Sequence, residues 1–180
     1  MDPSQLQVHQ RDADACVVCI RGHDQLTEWR FETKRTVKPL TRPDPQRNLF
    51  PAVLQDFVYT ASSDGTDSNL LVTFHGLGDT AGPFSKLGEK FALPQTAVLS
   101  LQGPIALPFD MGFGWFEAID LERGGDLIRP SKADRRRTMT LVKTLSALDQ
   151  MLEVLGSEAG GSWRPEEIIL FGFSQGGTTA

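Results

Sequence analysis

Apolar residues in the second two-thirds of this chain come in blocks of two lengths. The short blocks are nearly continuous: Asn69–Phe74 (NLLVTF), Thr96–Leu101 (TAVLSL) and Glu167–Phe173 (EIILFGF). Runs of that length and character predict strands buried on both faces, as in a parallel sheet. Phe57-Val58-Tyr59-Thr60 predicts a further short strand, closed by the turn-rich Ser62-Ser63-Asp64-Gly65. The long blocks are periodic. A helix is expected over Pro83–Phe91, with Phe84, Leu87 and Phe91 on one side. A second should begin at Ser131, whose hydroxyl can cap it, with Asp134 at the third helical position. Met139, Val142, Leu145, Leu148, Leu152 and Leu155 then form one apolar stripe, and Gly156 is a natural stop. Strands alternating with helices predict an α/β fold, a mostly parallel sheet with flanking helices and right-handed crossovers.

The first third reads differently. Polar residues dominate without clear periodicity, and Pro39, Pro43, Pro45 and Pro51 punctuate the stretch before the regular pattern begins. Residues 1–55 are therefore expected to be an N-terminal extension, partly irregular with some strand content, and residues 56–180 the α/β domain. Residues 104–130, rich in Gly, Pro and aromatics, predict a long irregular connection.

Composition narrows the function. The 180 residues carry a net charge of −5, with 39% hydrophobic and 23% charged residues. That is a globular composition without the concentrated basic surface that nucleic acid requires. Arg135-Arg136-Arg137, the only basic run, reads as a solvated helix face. Met1–Gln10 has no apolar core of a signal peptide, and no run approaches the roughly 20 apolar residues of a membrane span. The only cysteines, Cys16 and Cys19, fall on a predicted short strand, Ala15–Ile20. With no second pair to complete four ligands, they read as small apolar residues rather than a redox or metal site. No metal or cofactor is expected, and reduced thiols fit a cytoplasmic setting.

The chemistry lies near the last residue. Gly172-Phe173-Ser174-Gln175-Gly176 is a G-x-S-x-G elbow directly after a predicted buried strand, and Gly177-Thr178-Thr179-Ala180 can start a helix. Such an elbow holds its serine on a strained turn, where a side chain at Gly172 or Gly176 would crowd the backbone. A second motif, His75-Gly76-Leu77-Gly78-Asp79-Thr80, follows the Asn69–Phe74 strand. In α/β-hydrolases the loop at this place shares an oxyanion hole with the residue after the serine. The expected donors are the Leu77 and Gln175 N–H groups, with Gly76 and Gly78 freeing the loop to aim the first.

Together, His75–Thr80 and Gly172–Gly177 resemble the acyl-protein thioesterase family of phospholipase/carboxylesterases. Trp115-Phe116-Glu117 resembles that family's Trp-Phe-Asp segment, with Glu in place of Asp. The resemblance runs from about Leu70 to Ala180. It implies hydrolysis of acyl esters or thioesters, in acylated proteins, lysolipids or small esters, through an acyl-enzyme on Ser174 without metal or cofactor. It gives His75 a structural role bracing the oxyanion loop. Met111, Phe113, Trp115 and Phe116 lie on the loop that borders the acyl-binding region in similar proteins; an aromatic lip for the acyl chain and plain anchoring of the loop are both open. The acid and base of such a triad follow the serine in chain order. The chain is therefore expected to be the first part of a serine hydrolase, inactive alone and incomplete at the C-terminal side of its sheet. There Ile168, Ile169, Leu170 and Phe171 would form an uncovered edge. The alternative is a non-catalytic binding or regulatory relative of such an enzyme.

Overall fold

A computed structural model of the protein describes residues 40–120, 124–128, 131 and 135–180 in full, and 6–12, 15–21 and 26–32 by their backbone. The chain divides into two compact units, Met1–Lys38 and Pro39–Ala180. The first is an antiparallel meander of β1 (Leu6–Asp12), β2 (Ala15–Arg21) and β3 (Leu26–Glu32). Cys16 and Cys19 lie on β2, Cys16 in register with Phe31 and Cys19 with Gln7 and Glu28.

In the second unit, β4 (Phe57–Thr60), β5 (Asn69–Phe74), β6 (Thr96–Leu101) and β11 (Ile168–Gly172) form one sheet in the order β11-β5-β6-β4. β11, β5 and β6 are parallel, and β4 runs antiparallel to β6. The period of two along each strand sorts the core into two layers. Leu70, Val72 and Phe74 of β5, with Ala97, Leu99 and Leu101 of β6, join the main core. Helix α2 (Arg135–Gly156) supplies Ala147, Leu148, Met151 and Leu155 to that core. Leu71 and Val98, of the opposite parity, meet α1 (Ala81–Lys90), which buries Ala81, Phe84, Ser85 and Gly88. Between β6 and α2 the connection forms two small antiparallel ladders: β7 (Ile105–Ala106) with β8 (Phe113–Gly114), and β9 (Ile119–Asp120) with β10 (Asp126–Leu127). Among the described residues no helix is long and apolar enough to cross a membrane.

Three features differ from the periodic reading. The buried face of α2 is rotated from the predicted stripe: Leu148 and Leu155 are buried, but Met139, Val142 and Leu145 stay exposed. Thr144 takes the inward position instead, because its hydroxyl donates to the Trp115 carbonyl at 2.6 Å. Asp134, expected at the third position after the Ser131 cap, lies outside the described residues. On α1, Phe91 sits just past the last turn, exposed, with its ring edge-on to Phe171 at 5.2 Å. Finally, β11 is not buried on both faces. It forms the sheet's edge, and Ile169 and Leu170 are 43% and 44% exposed.

The proline-punctuated stretch before β4 belongs with the second unit, so this unit begins well before Asp56. Leu54 is wholly buried and Phe50 nearly so, the latter with its ring 5.2 Å from that of Phe57. Arg42 fastens the stretch further along by reaching residues 161–167.

Candidate active site

The sheet order places the two motifs side by side. From β5 the chain crosses to β6 on one side, and the later crossover through α2 returns it to β11 on the other side of β5. The carboxyl ends of β5 and β11 therefore flank the point where the winding direction reverses, the usual site of a binding crevice in open α/β sheets. Gly172 pairs with Phe74, and the Phe173 N–H donates to the Phe74 carbonyl at 3.1 Å. Ser174 follows at once, exposed, with φ 52° and ψ −116°. A non-glycine residue held there carries roughly 1–3 kcal/mol of strain, which only an over-determined surrounding sustains.

That surrounding is backbone on every side. A Cβ on Gly172 would stand 2.5 Å from the Gly176 carbonyl oxygen and 2.6 Å from the Gly177 nitrogen. One on Gly176 would collide with the carbonyl oxygens of Phe74 and His75. Both glycines are thus required by close approach, as the elbow motif implies. Helix α3 (Gln175–Thr179) leads away from the turn.

The other wall is the loop after β5. Gly78, at φ 82°, donates its N–H to the Phe113 carbonyl at 2.9 Å, and Phe113 donates to the Asp79 carbonyl at 3.1 Å. This bridge ties the loop to the β7–β8 hairpin. Leu77 and Gln175, the two expected donors, have backbone N–H groups with no acceptor among the described residues.

His75 lies under this loop, wholly buried. Its Nε2 accepts the Gly103 N–H at 2.9 Å and lies 2.9 Å from the Gln102 side-chain nitrogen. Because a backbone N–H can only donate, Nε2 is the bare nitrogen. Nδ1 therefore carries the proton and donates it to the Gly76 carbonyl at 2.7 Å. Gln102 is oriented in turn by its Oε1, which accepts the Ala81 N–H at 3.1 Å. Both ring nitrogens are thus engaged with the scaffold, and His75 has none to offer Ser174.

Burial lowers the His75 pKa below its ordinary value near 6.5, against the Gly76 hydrogen bond and the Asp79 charge, which raise it. The unfolded chain then takes up a proton before the folded one does. Stability from this group is complete above about pH 6.5 and is lost as pH falls below it. We expect the urea midpoint to fall between about pH 7.5 and 5.5, and His75→Gln, though less stable throughout, to show a shallower fall. An unchanged slope in the variant would show that other groups carry the acid sensitivity.

Trp115 and Phe116, the residues considered for an acyl-chain lip, lie in the core. Trp115 is fully buried and Phe116 is 2% exposed, so neither presents a face to a bound chain. The Trp115 ring packs 5.1 Å from Phe74 and 5.2 Å from His75, and its indole N–H donates to the His75 carbonyl at 2.8 Å. The apolar side chains this region turns outward are Phe109, Met111 and Phe173, of which Phe109 is 89% exposed. Phe109 and Asp110 both sit at positive φ, 57° and 54°, on the turn joining β7 to β8. The roles of Gln102, Thr144 and the Gln175 side chain were invisible in the sequence, because each depends on a partner distant along the chain.

A mostly parallel sheet with a strained serine turn at the carboxyl end of its edge strand, beside a loop with an unpaired amide, puts this chain among the α/β-hydrolases. The model of the phospholipase/carboxylesterase family matches residues 56–180. The chain belongs to that family. An uncharacterized hydrolase of Mycosarcoma maydis is 36% identical over 124 residues, 68% of this chain and 44% of the relative. One of Schizosaccharomyces pombe is 30% identical over 117 residues, 62% of this chain and 44% of the relative. The chain thus spans less than half the length of these two relatives. Among solved structures, esterase PE8 superposes with a TM-score of 0.55 at 25% identity, over 70% of this chain and 54% of that protein.

Proposed function

We propose that this chain carries the nucleophile and the oxyanion hole of a serine hydrolase acting on acyl esters or thioesters. The observation that supports it best is the pairing of an exposed, strained Ser174 with amides at Leu77 and Gln175 that have no acceptor among the described residues. In this reading the Ser174 Oγ attacks the acyl carbonyl, and the carbonyl oxygen gains negative charge. The two N–H groups, fixed before reaction, stabilise that charge; losing one such donor costs about 3 kcal/mol. The intermediate collapses to an acyl-Ser174 ester with release of the thiol or alcohol, and water then frees the acid. A base must take the Ser174 proton. His75 cannot, because both of its ring nitrogens are engaged by the scaffold, and in this reading the base is another group. Exposed Phe109, Met111 and Phe173 supply apolar surface suited to an acyl chain. An acylated protein, a lysolipid and a small ester all fit this chemistry, and a cytoplasmic setting suits a chain with only two cysteines.

A second reading, a non-catalytic binding relative, is favoured by one observation. The Ser174 Oγ has no hydrogen-bonded base among the described residues. One experiment separates the two. A fluorophosphonate probe should label the protein expressed from its whole coding sequence, and labelling and 4-nitrophenyl ester hydrolysis should vanish in Ser174→Ala. The 180-residue chain by itself should label weakly or not at all. No labelling of the whole protein would favour the binder. Strong labelling of the 180-residue form would show that it holds a base for Ser174 itself.

A further inference from the structure

The Gln175 side chain does something its place in the motif does not require. It is buried, and it spans to the loop after β7–β8 with both ends: Oε1 accepts the Trp115 N–H at 2.7 Å, and Nε2 donates to the Phe116 carbonyl at 3.0 Å. A primary amide is the one side-chain group that matches this donor–acceptor pair in a single plane. The space is closed around it, since a Cβ on Gly114 would stand 3.0 Å from both the Gln175 Oε1 and a Leu77 methyl.

Trp115 is pinned on two further sides. Its indole N–H holds the His75 carbonyl, two residues before Leu77, and its own carbonyl accepts the Thr144 hydroxyl. One residue therefore links the elbow, the base of the Leu77 loop and helix α2. Both amides assigned to the oxyanion hole hang from it: Gln175 through its own side chain, Leu77 through the carbonyl of His75. Their separation is set by this clamp.

We propose that the Gln175 side chain is a positioning residue that fixes the distance between the two oxyanion donors, so that residue 175 serves the site twice, by its backbone N–H and by its amide. This rests on the assignment of Ser174, Leu77 and Gln175 made above. It predicts a loss confined to the transition state, because a loosened donor pair binds the developing oxyanion less well while leaving substrate contacts alone.

The test uses the protein expressed from its whole coding sequence, with rates expressed per fluorophosphonate-titrated serine so that unfolded molecules do not count. Gln175→Met keeps the volume and removes both hydrogen bonds. It should lower kcat for a 4-nitrophenyl ester by about 10- to 100-fold while KM stays within about 3-fold. Gln175→Glu can accept from Trp115 but, when ionised, sets a carboxylate against the Phe116 carbonyl. Once protonated it restores the donor. The ratio of its kcat to that of the parent should therefore rise as pH falls from about 8 to about 6, and the ratio for Gln175→Met should stay flat. A merely structural role would lower the yield of active protein and leave kcat per titrated serine unchanged, and that result overturns the proposal. If Gln175→Met does not fold, the Gln175→Glu ratio decides alone: a flat ratio refutes. Full activity in Ser174→Ala would instead sink the underlying assignment, a distinguishable failure.

Discussion

Gly176→Ala should leave almost no folded, probe-reactive protein. Gly176 lies in the first turn of α3, buried, and its N–H donates to the Phe173 carbonyl at 2.9 Å. The added methyl would meet the carbonyl oxygens of Phe74 and His75 and the Phe74 carbonyl carbon. None of these atoms can rotate away, because they are backbone of the last residue of β5 and of the start of the Leu77 loop. Relief requires α3 to withdraw from β5, which moves Ser174 and both assigned donors together. Overpacking against yielding side chains costs about 1–3 kcal/mol, and against backbone at a turn already strained we expect the upper end or beyond. Gly82→Ala provides the contrast. Apart from its chain neighbours and its own helix backbone, no atom lies within 4 Å of its added Cβ, and it is the second residue of α1. There alanine should change stability by less than about 1 kcal/mol, because helix propensity and a less flexible unfolded chain favour it while Pro83 disfavours a side chain on the helical residue before it. Thermal unfolding and fluorophosphonate labelling of both variants check the pair. A Gly176→Ala protein that labels at the parent's rate would mean that the elbow tolerates a side chain where the structure leaves no room.

Arg42→Ala should cost about 3 kcal/mol, the lower end of what removing one partner of a buried ion pair costs. The Arg42 side chain is 9% exposed and Glu167's 13%, with 3.0 Å between guanidinium and carboxylate. The same guanidinium donates to the carbonyls of Asp67, Gly161 and Ser162, and lies 4.1 Å over the Trp163 ring. Removing it leaves three carbonyls to find other donors and bares an aromatic face. Glu167 keeps Arg164 at 2.7 Å, which tempers the loss. In a domain of this size such a change corresponds to a Tm lower by about 6–12 °C. Arg42→Lys should recover less than half, since an ammonium can neither stack on Trp163 nor reach all four acceptors from one plane. Urea denaturation of both variants is the measurement. A loss under about 1 kcal/mol would reduce Arg42 to an ordinary surface ion pair.

How much of this could be read from the residues depends on the range of the forces involved. Asn69–Phe74 and Thr96–Leu101 were legible to the residue, because burial on both faces demands an unbroken apolar run whatever the partner strand. The helices were legible in place but not in facing. Thr144 lies off the predicted α2 stripe, yet it is turned inward with a hydrogen bond to Trp115, while Met139, Val142 and Leu145 stay outside. Trp115 and Phe116 read equally well as lip or as anchor. Only the packing of the loop against Phe74 and His75 makes them anchors.

What local sterics control was readable from the residues alone: the α/β alternation, the serine between two glycines, and the glycine-flanked loop after β5, since a strained turn admits few residues. Which groups meet depends on packing between distant segments. That packing chose which His75 nitrogen carries the proton, bound the proline-rich stretch through Arg42, and gave the Gln175 amide its two partners. Those outcomes rest on pairing between segments far apart in the chain, where orientation and distance carry the energy and no local pattern records either.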